Sequence, residues 1–430
     1  MKIAMVSEHA NPLTAVGGEN AGGQRVHVAG LARALAERGH EVVVHARREA
    51  PEQPEFASMA AGVRVHHIDA GPAEVLSSGA VLDHIPELTR GLANAWRRDT
   101  PDVVHAHCWM SGLASRGAAG ELNLPMALTF HTLGSVKQRY QATPGTSAPH
   151  RLEAERTLAR EVDRVLATST HEIDELVAMG GDPDRMEVIP CGVDLTQFRP
   201  TGERLVRDAS GPVLLTVGRL VPRKGMDDAI RMLVELPECQ LIVAGGPPSD
   251  ASDTEPAARR LRQVAVDLGV ADRVTFLGAV GRADMPALIR SADIVVCLPW
   301  YEPFGMVPVE AMACGTPVLG SRVGGLVDTV EEGGTGLLVP ARDPRAAAAA
   351  ARRMLAAPGL LRAMEQRGPT RAAELFSWQS VARRTENAYL HLMTGLPSGP
   401  SLQVPSARMH SPEPRVGVRP RVGSMRRFHA

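Results

Sequence analysis

Two periodicities alternate along the chain. Short aliphatic and β-branched runs recur as "KIAMVS" (2–7), "EVVVHAR" (41–47), "VRVHHID" (63–69), "DVVHAH" (102–107), "MALTF" (126–130), "RVLATS" (164–169) and "MEVIP" (186–190). Such runs are nearly continuous in apolar residues, as strands buried on both faces require. Between them, "QRVHVAGLARALAERG" (24–39) and "PHRLEAERTLAREV" (149–162) space their apolar residues at the helical period. Strand and helix in alternation predict an α/β fold, with a parallel sheet covered by helices on both sides.

The pattern pauses over residues 191–211 and then restarts. "PVLLTVGRL" (212–220), "QLIVAGG" (240–246), "RVTFLGAV" (273–280), "DIVVCLPW" (293–300), "PVLGSRVGG" (317–325) and "TGLLVP" (335–340) form a second set of predicted strands, with helical stretches such as "PRAAAAAARRML" (344–355) among them. Two Rossmann-like domains are expected, residues 1–195 and 196–377, facing each other across a cleft where a ligand sits at the carboxyl ends of the strands. A last helix, 378–395, is expected to cross back to the first domain. Residues 396–430, rich in Pro, Ser, Gly and Arg, read as a disordered tail.

Composition removes several classes of function. Net charge is −1 and aromatic residues make up 3% of the chain, which disfavours nucleic-acid binding. The five cysteines are scattered without a C-x-x-C pair, which suits reduced thiols in the cytoplasm. The apolar start ends at Glu8, too short for a signal peptide, and no stretch approaches the 18 or so apolar residues of a membrane span. Peripheral membrane contact stays open, and so does a homodimer.

Candidate chemistry gathers after the predicted strands. "GGENAGGQRVHV" sets glycines between the first strand and the first helix, where backbone amides can approach an anion, although the same turn also serves as a plain tight connection. "VGRLVPRKG" brings Arg219 and Lys224 to the end of the second domain's first strand, two cations suited to a diphosphate or, equally, a solvated basic turn. In "YEPFGMVPVEAMACG" (301–315), Glu302 lies in a loop and Glu310 in the helix that Pro308 helps start. Carboxylates there can accept from sugar hydroxyls, and Glu310 also suits a first helical turn for structural reasons. "TFHTLGSVKQRY" puts His131, Thr132, Lys137 and Arg139 at the end of a first-domain strand. His105 and His107 alternate onto one sheet face without a carboxylate or cysteine to complete a metal set. Asp182 and Asp184 flank Pro183 in a turn. No metal and no cofactor is expected.

In the order and spacing of "AGGQ", "FHTLG", "GRLVPRKG" and "EPFGMVPVEAMACG…GG", residues 1–395 resemble the retaining, nucleotide-sugar-dependent glycosyltransferases of family 4 with the GT-B fold. Within that family the chain is similar to the inositol-phosphate N-acetylglucosaminyltransferases of mycothiol synthesis and to sucrose-phosphate-synthase-type enzymes. The resemblance implies that Gly22, Gly23, Arg219, Lys224, Phe304, Gly305, Met306 and Val307 bind the donor, UDP-sugar favoured. It implies further that Glu310 holds the ribose and Glu302 the transferred sugar, with His131 beside the anomeric carbon. His9, Arg25, Cys108, Thr132, Lys137 and Arg156 fall on the acceptor side. The acceptor would be a small hydroxyl compound such as a cyclitol, a sugar phosphate or a natural-product aglycone. Three positions depart from the mycothiol enzymes: Cys108 stands for Tyr, Arg25 for Asn, and "LSSGAVLDHIPEL" lacks their Lys. Two other classes compete: a glycoside hydrolase using Glu302 and Glu310 as paired carboxylates, and a non-catalytic nucleotide-sugar-binding protein.

Overall fold

The computed structural model describes residues 1–13, 23–140, 149–205, 211–247 and 255–395. Gly22, part of the 191–211 connection and the 396–430 tail lie outside them.

The first sheet has eight strands: β1 (Lys2–Val6), β2 (Glu41–Arg47), β3 (Phe56–Ala60), β4 (Val63–Ile68), β5 (Val103–His107), β6 (Met126–Thr129), β7 (Arg164–Ala167) and β8 (Met186–Val188). Their order is β3-β4-β2-β1-β5-β6-β7-β8, with every pair parallel except β3 against β4. Helices bury one apolar cluster on each face. One forms around Trp96, Met110, Phe130 and Leu158, the other around Ile3, Leu31, Val44 and Tyr389.

The second sheet has six strands: β9 (Val213–Val217), β10 (Gln240–Ala244), β11 (Val274–Gly278), β12 (Ile294–Cys297), β13 (Val318–Ser321) and β14 (Gly336–Val339). It is wholly parallel, in the order β11-β10-β9-β12-β13-β14. In both sheets the strand order reverses beside the first strand: β1 lies between β2 and β5, and β9 between β10 and β12. Loops leaving β1 and β9 therefore open into a crevice between diverging crossover helices.

The edge strand β3 carries no alternation that marks it in the sequence. It turns back at Gly62 (φ +75°), pairs antiparallel with β4 and is broken by a bulge between Ser58 and Ala60. A short, bulged edge offers little to a foreign strand. Several expected strands are too long at their carboxyl ends. Leu298, Pro299 and Trp300 are apolar yet leave the ladder after Cys297, because there the backbone must turn to build the crevice.

The helix Trp378–Thr394 packs on the first domain, far from its sequence neighbours. A Cβ on Gly30 or on Gly192 would come within 2.4 Å of the Trp378 ring, so both positions admit the indole only as glycine. Arg38 and His40 pair with Glu386, and the Tyr389 hydroxyl reaches His105 at 2.7 Å.

Candidate functional site

On the second-domain side, β9 ends at Val217, just before Gly218, and a single 3-10 turn, Pro222–Lys224, leads to Gly225. Gly225 adopts φ +67°, and a Cβ there would lie 1.8 Å from the Leu298 carbonyl, so glycine is required both for conformation and for space. That close approach sets Lys224 against the loop after β12, where its ammonium pairs with the Glu302 carboxylate. Arg223 donates to the Tyr301 carbonyl at 3.3 Å. Arg219 is exposed and forms no ion pair among the described residues.

Gly305 (φ +97°) starts the helix Met306–Ala313 with no side-chain cap. The first-turn amides, including those of Met306 and Val307, thus retain unused donors beside the Lys224–Glu302 pair. Phe304 is buried beneath the loop. The two glycines of "VGG" support it from behind: a Cβ on Gly324 would meet the Glu302 carbonyl at 2.1 Å, and the Gly325 amide donates to that same carbonyl at 2.9 Å.

Glu310, one turn into the helix, is buried, and Arg282 Nη1 donates to its Oε1 at 2.8 Å. Burial holds its carboxyl above the usual value while Arg282 works against the rise. Arg282 carries no motif and was not singled out by sequence. Its guanidinium also lies over the Phe198 ring at 4.9 Å.

On the first-domain side, Gly23 opens the first helix, and a Cβ there would touch Met306 Sδ at 3.0 Å, which puts the two helix starts face to face. His131 is half-buried in the left-handed region (φ +61°), and its Nε2 lies 3.1 Å from His107 Nδ1. His27 meets the His131 ring edge-on at 5.0 Å. Burial pushes His27 down to about 4 and lowers His107 and His131 well below the ordinary range, so the cluster is neutral near pH 7.

Thr132, Leu133, Val136, Lys137 and Tyr140 face Arg223, Tyr301 and Pro303 across a small interdomain cavity. The Tyr140 and Tyr301 rings stack at 5.4 Å, joining the domains at its edge. Burial, and next the neighbouring Arg151, push the Lys137 ammonium below its usual value. Arg151 donates to the Thr132 carbonyl at 2.7 Å and is oriented by the fully buried Glu155 at 2.6 Å.

Arg156, expected on the acceptor side, is exposed and pairs with Glu153 at 3.2 Å. Five residues along a helix rotate a side chain by about 140°. Arg151 therefore points inward while Arg156 points out.

His9, Cys108 and Arg25 lie deeper on the first-domain side. Cys108 precedes the helix Trp109–Leu122 with φ +79°, and burial, then the Glu8 carboxylate, push its thiol up to about 12. Glu8, His9 and Cys108 place ligand atoms within 4.8 Å of one another. The Glu8 carboxylate is already engaged, however, by His9 Nδ1 at 2.5 Å and by the Ser111 hydroxyl, and the Lys137 cation lies near His9. Burial works to raise Glu8, but His9 and Ser111 prevail and hold it low, while Glu8 raises His9. These residues fit a satisfied ion pair better than a cation site. Arg25 is buried with its Nε unpaired among the described residues.

Glu302 and Glu310, the two carboxylates of a hydrolase reading, each face their own cation, Lys224 and Arg282. Asp182 caps the 3-10 turn Pro183–Arg185 through the Asp184 amide and so serves the backbone.

The chain is also similar to known proteins. The description "Glycosyltransferase Family 4" matches residues 21–197, and "Glycosyl transferases group 1" matches residues 202–371. The chain is 36% identical over 406 residues to the D-inositol 3-phosphate glycosyltransferase of Acidothermus cellulolyticus, covering 90% of each. With the protein of that name from Geodermatophilus obscurus it shares 35% over 436 residues, 97% of this chain and 95% of the other. Among solved structures, sucrose-phosphate synthase from Thermosynechococcus elongatus superposes with a TM-score of 0.81 at 31% identity, over 92% of this chain and 99% of that one. Anabaena HepE in complex with UDP-glucose shares the fold, with a TM-score of 0.67 at 20% identity over 92% of this chain and 100% of that one.

Proposed function

The chain belongs to the family 4 glycosyltransferases of GT-B fold, and from that premise we propose that it moves a hexosyl or N-acetylhexosaminyl unit from a UDP-sugar to a small phosphate-bearing acceptor, a cyclitol or a sugar phosphate. The observation that carries the reading is the meeting of Lys224 and Glu302 just before the uncapped helix start at Gly305, opposite Gly23. A diphosphate laid there accepts from helix amides and from Lys224, with Arg219 at the rim. Glu310 takes the ribose hydroxyls and Glu302 those of the transferred sugar. On the acceptor side, Lys137, Arg151 and Thr132 supply cationic and hydroxyl donors for a phosphate.

The reaction is retaining and needs no metal. As the bond from the anomeric carbon to the diphosphate oxygen breaks, Lys224, Arg219 and the amides stabilise the leaving charge. A well-placed donor of this kind contributes about 3–4 kcal/mol. The acceptor hydroxyl then attacks from the same face, and its proton passes to the departing phosphate oxygen. The donor cleft supplies its cations from side chains, so a resident divalent ion is not required.

We also place the protein in the cytoplasm. All five cysteines are free, and no helix among the described residues is long and apolar enough to cross a membrane.

The test is incubation with UDP-, GDP-, ADP- and TDP-sugars plus inositol phosphates and hexose phosphates, with and without a chelator. The product's anomeric configuration is read by NMR. Expected are transfer from a UDP-sugar with retention and no loss on chelation, and a fall in kcat of roughly 100-fold or more for Lys224→Ala. Hydrolysis of oligosaccharides without nucleotide, or an inverted product, would overturn the reading.

A further inference from the structure

Two buried nitrogens decide the protonation of His131. Only one of His107 Nδ1 and His131 Nε2, 3.1 Å apart, carries the shared hydrogen. His107 Nε2 is fully buried and has no partner among the described residues. If His131 donated, neutral His107 would have to bear its hydrogen on that isolated Nε2, leaving an N–H buried without an acceptor. The reverse assignment leaves only a lone pair unmet, and buried orphaned donors are the rarer defect. His107 is therefore Nδ1–H and donates to His131 Nε2, and neutral His131 carries its hydrogen on Nδ1.

The neighbouring ring obeys the same logic with every partner visible. Thr129 Oγ1 gives its hydrogen to the Leu166 carbonyl at 2.8 Å and so accepts from His105 Nε2–H at 3.0 Å. His105 Nδ1 is left to accept from the Tyr389 hydroxyl at 2.7 Å. That fixed ring packs at 4.1 Å from His107 and ties it to the Trp378–Thr394 helix.

We propose that His107 is a positioning residue that locks His131 as the Nδ1–H tautomer, so that His131 offers the transferred sugar a neutral hydrogen-bond donor instead of a base. The role toward the sugar rests on the proposed function; the tautomer does not. It follows that the acceptor's proton has no basic imidazole to go to, which leaves the departing phosphate oxygen as its destination.

The test uses the full-length protein with ring-15N-labelled histidine and long-range 1H–15N correlation spectra, the His131 signals being assigned by their loss in His131→Ala. Nδ1–H patterns are expected for both His131 and His107. An Nε2–H pattern for His131 overturns the proposal, whether or not the protein transfers sugars. A protein inert toward every nucleotide sugar instead sinks the proposed function.

Two substitutions add a kinetic readout. His107→Phe removes the donor, and His107→Asn keeps an amide N–H near the Nδ1 position. The Phe variant should lose kcat by about 10- to 100-fold, the scale on which outer partners of a ring nitrogen act, with donor KM little changed. The Asn variant should recover most of the loss and retain the His131 Nδ1–H pattern. Equal losses in both variants with an unshifted His131 spectrum would show that His107 only fills space.

Discussion

Arg282 Nη1 donates to Glu310 Oε1 at 2.8 Å across 28 positions of sequence, and the carboxylate it holds is buried within the helix Met306–Ala313, which the proposed function sets on the donor side. The arginine keeps one oxygen occupied and oriented, and the second oxygen is left for a ligand. Replacing Arg282 by Met would strand a buried carboxylate. Breaking such a pair from one side costs about 3 kcal/mol at the lower end, which applies here because the guanidinium is 29% exposed. Arg282→Met should therefore lower the melting temperature and weaken UDP binding by calorimetry. The double variant Arg282→Met/Glu310→Met should regain stability without regaining affinity. Full affinity in the double variant would remove Glu310 from the donor site, and full affinity in Arg282→Met alone would show that the arginine does not orient it for binding.

The same carboxylate predicts a pH dependence. Burial raises the Glu310 pKa in the folded state above its unfolded value. Between those two values the folded protein binds the extra proton, so this group's contribution to stability falls as pH rises through the window. Binding follows the opposite sign. As pH drops through the raised value, Glu310 protonates before ordinary glutamates do, losing its charge toward Arg282 and toward the ribose hydroxyls it is proposed to hold. UDP affinity, titrated from about pH 8 to about pH 5, should weaken at a pH above the usual glutamate range. Glu310→Gln should flatten that portion of the curve, and an unchanged curve in that variant would assign the titration elsewhere.

What could be read from sequence, and what could not, divides along physical lines. Thirteen of the fourteen strands show as apolar runs, because a parallel sheet buried on both faces leaves no other pattern. The exception, β3, lies at an edge, half exposed, where neither burial nor alternation is imposed. Arg219, Lys224, Glu302 and Gly305 could be singled out because each lies in a loop past a strand's carboxyl end within a motif of fixed spacing. The approach of Gly225 to Leu298 that sets Lys224 against Glu302 left no such mark. Arg282 could not be singled out, since its partner Glu310 lies across a fold that only packing reveals. Arg151 and Arg156 are both arginines on one helix, and choosing between them needs the helix's phase against Thr132 and Glu155. The hydrogen on His131 depends on whether a nitrogen two rings deep finds a partner, which no spacing of residues encodes.

The domains are joined at a second point besides the tyrosine stack. The Thr170 amide and hydroxyl both donate to the Asp328 carboxylate at 2.7 Å, linking a first-domain helix start to the second-domain helix Leu326–Thr329. Arg371 secures the other side by donating to the Asp328 carbonyl at 2.7 Å. Asp328→Ala removes both acceptors across the interface and leaves the domain cores untouched. Expected are a larger radius of gyration by small-angle scattering without ligand, a higher donor KM, and a stability loss confined to about 1–3 kcal/mol. Asp328→Asn keeps one acceptor oxygen and should fall between. A radius and KM equal to those of the parent protein would show that this contact does not hold the domains together.

Two glycine-to-alanine changes should act with opposite sign. At Gly225 the backbone is left-handed (φ +67°), and an added Cβ would sit 1.8 Å from the Leu298 carbonyl, a backbone atom that cannot swing aside. The turn must then open, and Lys224, the residue just before it, leaves Glu302. Gly225→Ala should cost at least about 1–3 kcal/mol, the scale of a strained backbone position, and should lower kcat far more than a surface change of equal stability cost. Gly120 lies inside the helix Trp109–Leu122, and an added Cβ there meets no atom within 4 Å. Gly120→Ala should instead stabilise by about 0.5–1 kcal/mol, because alanine loses less backbone freedom on folding. Thermal melts of both variants, with UDP-sugar turnover measured on each, decide the matter. A Gly225→Ala protein with normal turnover would mean that Lys224 does not depend on this turn for its place.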